Sequence, residues 1–383
     1  MTDPRPPHDA ADPAPPRRRR RAPASVVARI FQLATAIASV PAAIALSRVA
    51  PVALVVSLFV LVAVAVGPRV RAGFDDRKRA AWIGDQAMPL FDIAWIGAAL
   101  SPFGCLLALP AWPWIGGRGV VVLGSALTLT AATWGALVRR RWIMIQRLEV
   151  PIVGWPKQLD GYRIVQLSDI HVGSTLAHDV AKIWAERATA LDADLAVVTG
   201  DLLSTGTAFH DDVADALASL KARDGVYACL GNHDYYDERA LCARLLARGV
   251  RVLRNEGVAL RDGRLYVAGV EDLWRGRPNV AAALADRPAE AKAILLAHNP
   301  RQASLIERDT VAIVLSGHVH AGQFAVPFLA RWLSLAHLAE RHIVGLYRLP
   351  TTTLFAHPGL GTTGPAVRIG SAPAIVELTI RAC

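Results

Sequence analysis

Five short polar groups hold the residues of this sequence that could do chemistry: Asp169-Ile170-His171, Gly200-Asp201, Gly231-Asn232-His233-Asp234, His298-Asn299-Pro300 and Gly317-His318-Val319-His320. Taken singly each is weak, because an Asp at such a place is commonly a turn former or helix cap and a His a hydrogen-bonded core residue. As a set they carry more weight: all five follow directly on apolar runs, in a chain with only 11 His. Carboxylate and amide oxygens mixed with imidazole nitrogens suit Mn, Fe or Zn rather than a thiolate site. A carboxylate shared by two ions about 3.5–4 Å apart is the geometry of two-metal hydrolases. The i, i+2 spacing of Asp169 and His171 predicts that both side chains leave the strand end in the same direction.

To bring these groups together, strands must end at one edge. YRIVQLSD, DLAVVTGD, GVYACLGN, RLYVAGVED, AILLAHN and VAIVLSGH read as buried strands ending in polar loops, and TTTLFAHPG and SAPAIVELTI as further strands. LAHDVAKIWAERATAL and DDVADALASLKA read as amphipathic helices between them. Alternating strands and helices predict an α/β domain with a largely parallel part to its sheet and a site at the carboxyl ends of the strands.

The ordered pattern D-x-H, G-D, G-N-H-D, H, G-H-x-H from Asp169 to His320 closely resembles the calcineurin-like metallophosphoesterase superfamily. LSDIHVG, VVTGDLL, LGNHDYY, LLAHNP, LSGHVHAGQ and GLGTTGPAVRIG resemble its membrane-associated bacterial YkuE/YaeI-like branch, over residues 148–383. The resemblance implies a four-layer α/β/β/α sandwich. It implies that Asp169, His171 and His320 hold one divalent metal, that Asn232, His298 and His318 hold a second, and that Asp201 bridges both. His233 then stays off the metals as general acid to the leaving oxygen, or as a stabiliser of the charged phosphorus centre, with Asp234 orienting it. The implied reaction is attack on phosphorus by a hydroxide carried between the metals. Two positions depart from the family pattern. Ala321 stands where relatives often have Gly, a change that matters only if the backbone there needs a positive φ. His357 stands where relatives often have Arg, and is expected to substitute for it at the phosphate or to alter substrate choice.

Ahead of this domain the 383-residue chain is unusually apolar, with 53% hydrophobic residues overall and a net charge of +10. Residues 1–25, rich in Pro and Arg, cannot bury enough apolar surface to order themselves and read as a disordered tail. Residues 26–147 read as a transmembrane module of about four spans, near 30–46, 52–66, 90–109 and 120–138. Arg17, Arg71, Lys78 and Arg140 belong to basic runs on alternate connections, which predicts a multi-pass cell-membrane protein with the catalytic domain on the cytoplasmic side. A twin-arginine export signal, which would put that domain on the other side, is the poorer match because Ala22 and Pro23 follow the Arg run. The 4 Cys match neither a zinc ribbon nor a disulfide scaffold.

The function expected from all this is a membrane-anchored phosphodiesterase or pyrophosphatase. Phe324, Trp332 and Leu335 lie in an apolar stretch that reads either as a cover for the sheet edge or as a lip admitting a lipid-linked phosphoester. A nuclease is the alternative raised by the basic charge, but that charge clusters beside apolar segments and no aromatic-plus-basic stripe accompanies it. A non-catalytic scaffold or sensor is disfavoured by the complete ligand pattern. A transporter is disfavoured because Asp92 is the main charge within the proposed spans.

Overall fold

The apolar runs form two six-stranded sheets laid face to face. The computed structural model describes residues 81–173, 176, 178–307, 310–325, 335–338 and 340–383. The expected tail, the first two apolar segments and most of the proposed lip, including Trp332, lie outside the described residues.

The first sheet contains β1 (Met144–Ile152), β2 (Tyr162–Leu167), β3 (Leu195–Thr199), β4 (Val226–Cys229), β5 (Val250–Val252) and β12 (Ala374–Ala382), in the order β1-β12-β2-β3-β4-β5. Strands β2 to β5 are parallel, β12 runs antiparallel to β2, and β1 pairs parallel with β12. The second sheet contains β6 (Glu256–Leu260), β7 (Leu265–Gly269), β8 (Lys292–Leu296), β9 (Ile313–Ser316), β10 (Gly345–Arg348) and β11 (Thr353–Ala356), in the order β10-β11-β9-β8-β7-β6. Its four central strands are parallel and its two edges antiparallel.

Three apolar layers account for this stacking. Ile164, Leu195, Val197, Ile294, Leu296 and Phe355 fill the space between the sheets. On the outer face of the first sheet Val165, Val198 and Ala228 meet α3 (His178–Thr189), α4 (His210–Leu217) and α5 (Glu238–Ala247) through Trp184, Val213 and Leu241. On the outer face of the second, Tyr266 and Leu295 pack under the short helix α6 (Val280–Ala283). Strands covered on both faces are near-continuously apolar, as parallel strands must be. The architecture is the expected α/β/β/α sandwich. Gln166, fully buried on β2, ties the sheets together by donating to the Thr199 hydroxyl at 2.8 Å and to the Ser316 carbonyl of β9 at 3.1 Å.

Two helices precede the sandwich, α1 (Ala81–Ala108) and α2 (Trp112–Leu137), joined by a 3-10 turn at Leu109–Ala111. They cover the third and fourth apolar segments, and α2 starts earlier than expected, bending at Gly116 where φ is +63°. The helices run antiparallel with Gly97 facing Leu129 and Gly104 facing Gly124, where the backbones touch. Small residues at such a crossing permit the close approach that membrane helices use in place of a hydrophobic drive. Pro89–Arg141 is, by length and composition, the one stretch of helix among the described residues apolar enough to cross a membrane. The outer faces expose Leu107, Trp114 and Trp134.

Candidate metal centre

Each sequence-predicted ligand follows a strand, as expected, but strand alternation is not what aims it. β2 ends at Leu167, and both Asp169 and His171 lie beyond it with φ of +53°. Asp201 (+51°), His318 (+74°) and His320 (+53°) share the left-handed conformation. This region costs an L-residue about 1–2 kcal/mol, and its repetition at five site residues marks a centre whose surroundings enforce it. The side chains converge because each chain turns sharply at the strand tip. The turns are pinned across the sheet: the Asp169 N–H donates to Gly200 O at 3.0 Å and the His171 N–H to Asp201 O at 3.0 Å. The glycines before the ligands are there for space. A Cβ on Gly317 would lie 2.5 Å from Asp169 Oδ2, and one on Gly231 would strike the Asp201 carboxylate.

Two overlapping donor groups result. Asp169, His171, Asp201 and His320 form one, and Asp201, His298 and His318 the other; within each group the donor atoms lie within 4.8 Å of one another. In the first, His171 Nε2 is 3.1 Å from His320 Nε2 and 3.6 Å from Asp201 Oδ2, while His320 Nε2 is 3.4 Å from Asp169 Oδ1. In the second, His298 Nε2 is 3.4 Å from Asp201 Oδ2 and 3.2 Å from His318 Nδ1. Asp201 is thus common to both. The residues fit divalent metal on a further count. Asp169 Oδ2 and Asn232 Oδ1 are buried acceptors with no hydrogen-bond partner, a condition that costs about 1–3 kcal/mol unless something else satisfies them.

Burial sets the protonation of the imidazoles. It pushes His171 and His318 down to about 3 and His320 well below its ordinary value, so all three present neutral nitrogens of the kind that ligate metals. Burial also lifts the Asp169 carboxyl to about 6. His298 behaves differently. Burial, the largest single effect, would lower it, but the charge and hydrogen bond of Asp201 together with the Asp169 and Asp272 charges outweigh it and raise it to about 10, while the His298 and His233 charges hold Asp201 well below its ordinary value despite burial.

The flanking residues have distinct tasks. The His233 N–H donates to Asp201 Oδ1 at 2.9 Å, its ring lies edge-on to His171 with centroids 4.9 Å apart, and its Nδ1 meets the Ser204 carbonyl. Asp234, expected to orient His233, instead accepts the N–H groups of Leu202 (2.9 Å), Leu203 (3.1 Å) and Gly231 (2.8 Å). Both of its oxygens are engaged in fixing the loops that carry Asp201 and Asn232. His357, expected at the phosphate, is fully buried: its Nε2 is 3.1 Å from Gln166 O and its Nδ1 accepts the Gly359 N–H at 2.9 Å. It braces a loop and does not face substrate. Ala321 does adopt a positive φ, +51°.

Two residues were missed from sequence. Trp274, half-exposed, sets its ring edge against His318 with centroids 4.4 Å apart, on a turn whose Trp274 and Arg275 N–H groups both donate to Asp272 Oδ1 at 2.8 Å. Arg368, with no exposed surface, donates to the Gly361 and Pro358 carbonyls and lies 3.4 Å from His320 Nδ1. Nothing in a lone Arg within a Gly-rich loop signals burial, since Arg is rarely found fully buried.

Comparison with known proteins agrees with the fold. The family described as calcineurin-like phosphoesterase matches residues 162–322. A metallophosphoesterase of Aquifex aeolicus, named as uncharacterized, is 32% identical over 230 residues, 57% of this chain and 85% of that one. The metallophosphoesterase YkuE of Bacillus subtilis, likewise named as uncharacterized, is 29% identical over 233 residues, 59% of this chain and 81% of the relative. A "transmembrane protein with metallophosphoesterase domain" from Danio rerio is 31% identical over 277 residues, 68% of this chain but only 62% of that relative's length. The chain belongs to the calcineurin-like phosphoesterase family, and it spans only about three fifths of the length of the Danio rerio and Bos taurus relatives.

Proposed function

We propose that this chain is a membrane-anchored, dinuclear metal-dependent phosphodiesterase or pyrophosphatase, with residues 148–383 as catalytic domain and the multi-pass anchor in residues 26–147. The observation that carries the reading is the position of Asp201, one carboxylate within reach of the donors of both groups. Asp169, His171 and His320 would hold one ion, Asn232, His298 and His318 the other, and Asp201 both. Mn, Fe and Zn all suit these donors. Bound ions of this kind supply a water that ionises near neutral pH and positive charge against the phosphate oxygens.

The chain's own residues do the rest. His233 is held on the rim by its N–H bond to Asp201. A carbonyl can only accept, so Nδ1 carries one proton toward Ser204, and a second proton on Nε2, present in the imidazolium form, is the one that would pass to the leaving oxygen and leave a neutral ring behind. Asp234 keeps the two ligand loops in register through its three backbone bonds. Trp274 forms a wall beside His318, where it limits water and shapes the space for the leaving group.

Membrane attachment is supported by the apolar helix pair and by the name of the Danio rerio relative. The basic residues Arg139 and Arg141 after α2 favour a cytoplasmic catalytic domain. Phe324, four residues after His320, packs with Ile369 against the helix pair. The centre thus lies close to the helix pair, which favours a lipid-linked phosphoester as substrate.

The test is the full chain in detergent, loaded with Mn2+ and given an aryl phosphodiester, a soluble nucleotide pyrophosphate, a lipid-linked pyrophosphate, and single-stranded and duplex DNA. Turnover of diester or pyrophosphate, fastest on the lipid-linked compound, is expected. A metal-loaded protein that cleaves none of them would overturn the hydrolytic reading. Preference for DNA would replace it with a nuclease, and far faster cleavage of the soluble esters would remove the lipid.

A further inference from the structure

The loop from Pro358 to Arg368 lies between the helix pair and the first donor group, and it is gripped from both sides. On the site side, the Leu360 N–H donates to Ser168 O at 3.0 Å and the Gly361 N–H to Asp169 O at 2.7 Å. A Cβ on Gly359 would sit 3.1 Å from both Arg368 Nη2 and His320 Nδ1, so the loop backbone rests against the ligand ring. Arg368 closes the arrangement. Its Nη1 donates to Pro358 O at 3.0 Å, its Nη2 to Gly361 O at 2.6 Å, and Nη2 faces His320 Nδ1 at 3.4 Å, on the side of the ring turned away from the other ligands.

On the helix side, Asp92 of α1 is 2% exposed and its Oδ2 accepts the Ala366 N–H at 2.8 Å. The Arg368 N–H donates to the carbonyl of Gly135 on α2 at 3.2 Å. Gly135 has no room for a side chain, since a Cβ there would lie 2.6 Å from the Arg368 carbonyl oxygen and 2.8 Å from Val367 Cγ1. Val367, fully buried, joins Ile93, Ile96, Ala132 and Ala136 in one apolar cluster. A carboxylate within an apolar helix is costly and persists where it has a task; here it binds a backbone N–H of the catalytic domain.

We propose that the helix pair is a working part of the first metal group. Asp92 and Gly135 are positioning residues that seat the 358–368 loop, and Arg368 passes that constraint to His320. This rests on the two-metal reading above and adds to it. The anchor then sets the affinity of the Asp169, His171 and His320 group, while the His298 and His318 group, which the loop does not touch, stays independent. A partner that orients a ligating His from behind typically changes metal affinity by about 10–100-fold when removed.

The experiment is Mn2+ titration of metal-stripped full chain in detergent by calorimetry, with the first group's binding step assigned by its loss in His171→Ala. Gly135→Ala and Asp92→Leu are expected to weaken that step by about 10–100-fold and leave the other within about twofold. Asp92→Asn keeps an acceptor oxygen for Ala366 and should bind as wild type. Gly135→Ala is locally favourable to a helix, so a folded protein is available even if Asp92→Leu fails to fold. Unchanged affinity at both steps in Gly135→Ala, or equal weakening of both, would overturn the coupling. Wild-type protein that takes up no Mn2+ would instead overturn the two-metal reading, and this inference with it.

Discussion

Asp201 and His298 meet at 3.4 Å, Oδ2 to Nε2, although one follows β3 in the first sheet and the other follows β8 in the second. The pair closes the seam between the sheets at the point where both donor groups overlap. Replacing Asp201 by Asn keeps the volume and removes the charge. If the proposed two-metal reading holds, it should strip both metals, because the shared carboxylate would serve each group. It should also destabilise the metal-free fold, because His298 loses its carboxylate partner and must shed its proton or keep an uncompensated charge. Elemental analysis of the dialysed variant decides the first point: one full equivalent of retained metal would show that Asp201 is not shared.

His233 makes the opposite prediction. It touches the centre only through its N–H on Asp201 and its ring edge on His171, so His233→Ala should retain both metals. A general acid contributes about 10²–10⁴-fold, and its loss is felt most when the leaving group is basic. The variant should therefore lose about 10²-fold or more on an alkyl ester and much less on a nitrophenyl ester. Equal losses on the two would assign His233 to charge stabilisation instead.

The sequence was legible where burial on both faces forces uniform apolar runs. β2, β3, β4, β7, β8 and β9 are such runs, and the candidate ligands follow all of them but β7. It was silent on strands that lack this signature. β1 shows Met144, Ile145 and Leu148 to solvent and mixes them with Arg147 and Glu149, so no period-2 or uniform pattern survives. β5 has three residues, and β10 is a short edge strand. The division into two sheets is also invisible locally: β5 and β6 are separated only by Leu253, Arg254 and Asn255, yet belong to different sheets. The ligand set was readable because its chemistry is written in residue types. Its aiming was not, because left-handed turns at Asp169, His171 and Asp201 occur in residues with no glycine signature. Arg368 was missed and His357 misread for a related reason, since polar side chains look like surface or substrate contacts until the fold shows them buried.

His357 offers a test that does not involve metal. Its pKa lies at about 3 because burial disfavours the imidazolium. In the unfolded chain it titrates near 6.5. Above pH 6.5 both states are neutral and the group has no effect. As pH falls from 6.5 toward 3, only the unfolded chain takes up the proton, so stability is lost by about 1.4 kcal/mol per pH unit, or about 2 kcal/mol by pH 5. His357→Gln keeps a donor and an acceptor and cannot ionise. In the metal-free protein its unfolding free energy should fall less steeply than wild type between pH 6 and pH 4, by about one proton's worth. Parallel pH profiles would mean that His357 is protonated in the native state.

Ala321 is the last case, and magnitudes decide it. The left-handed φ of +51° costs Ala about 1–2 kcal/mol, which Gly would relieve. Against that, Gly loses about 0.4–1 kcal/mol through the unfolded chain. It also gives up a methyl group that is 97% covered, the residue being 3% exposed, which is worth about 0.8 kcal/mol. These nearly cancel, so Ala321→Gly should change stability by less than about 1 kcal/mol. A β-branched residue has no such escape, because a second branch at Cβ makes the left-handed region a true outlier. Ala321→Val should cost well over the ~1 kcal/mol typical of a point substitution, and it should disturb His320 next to it. Denaturant unfolding of the two variants reads the ordering directly. A helical or extended backbone at 321 would reverse it, with Gly the more damaging of the two.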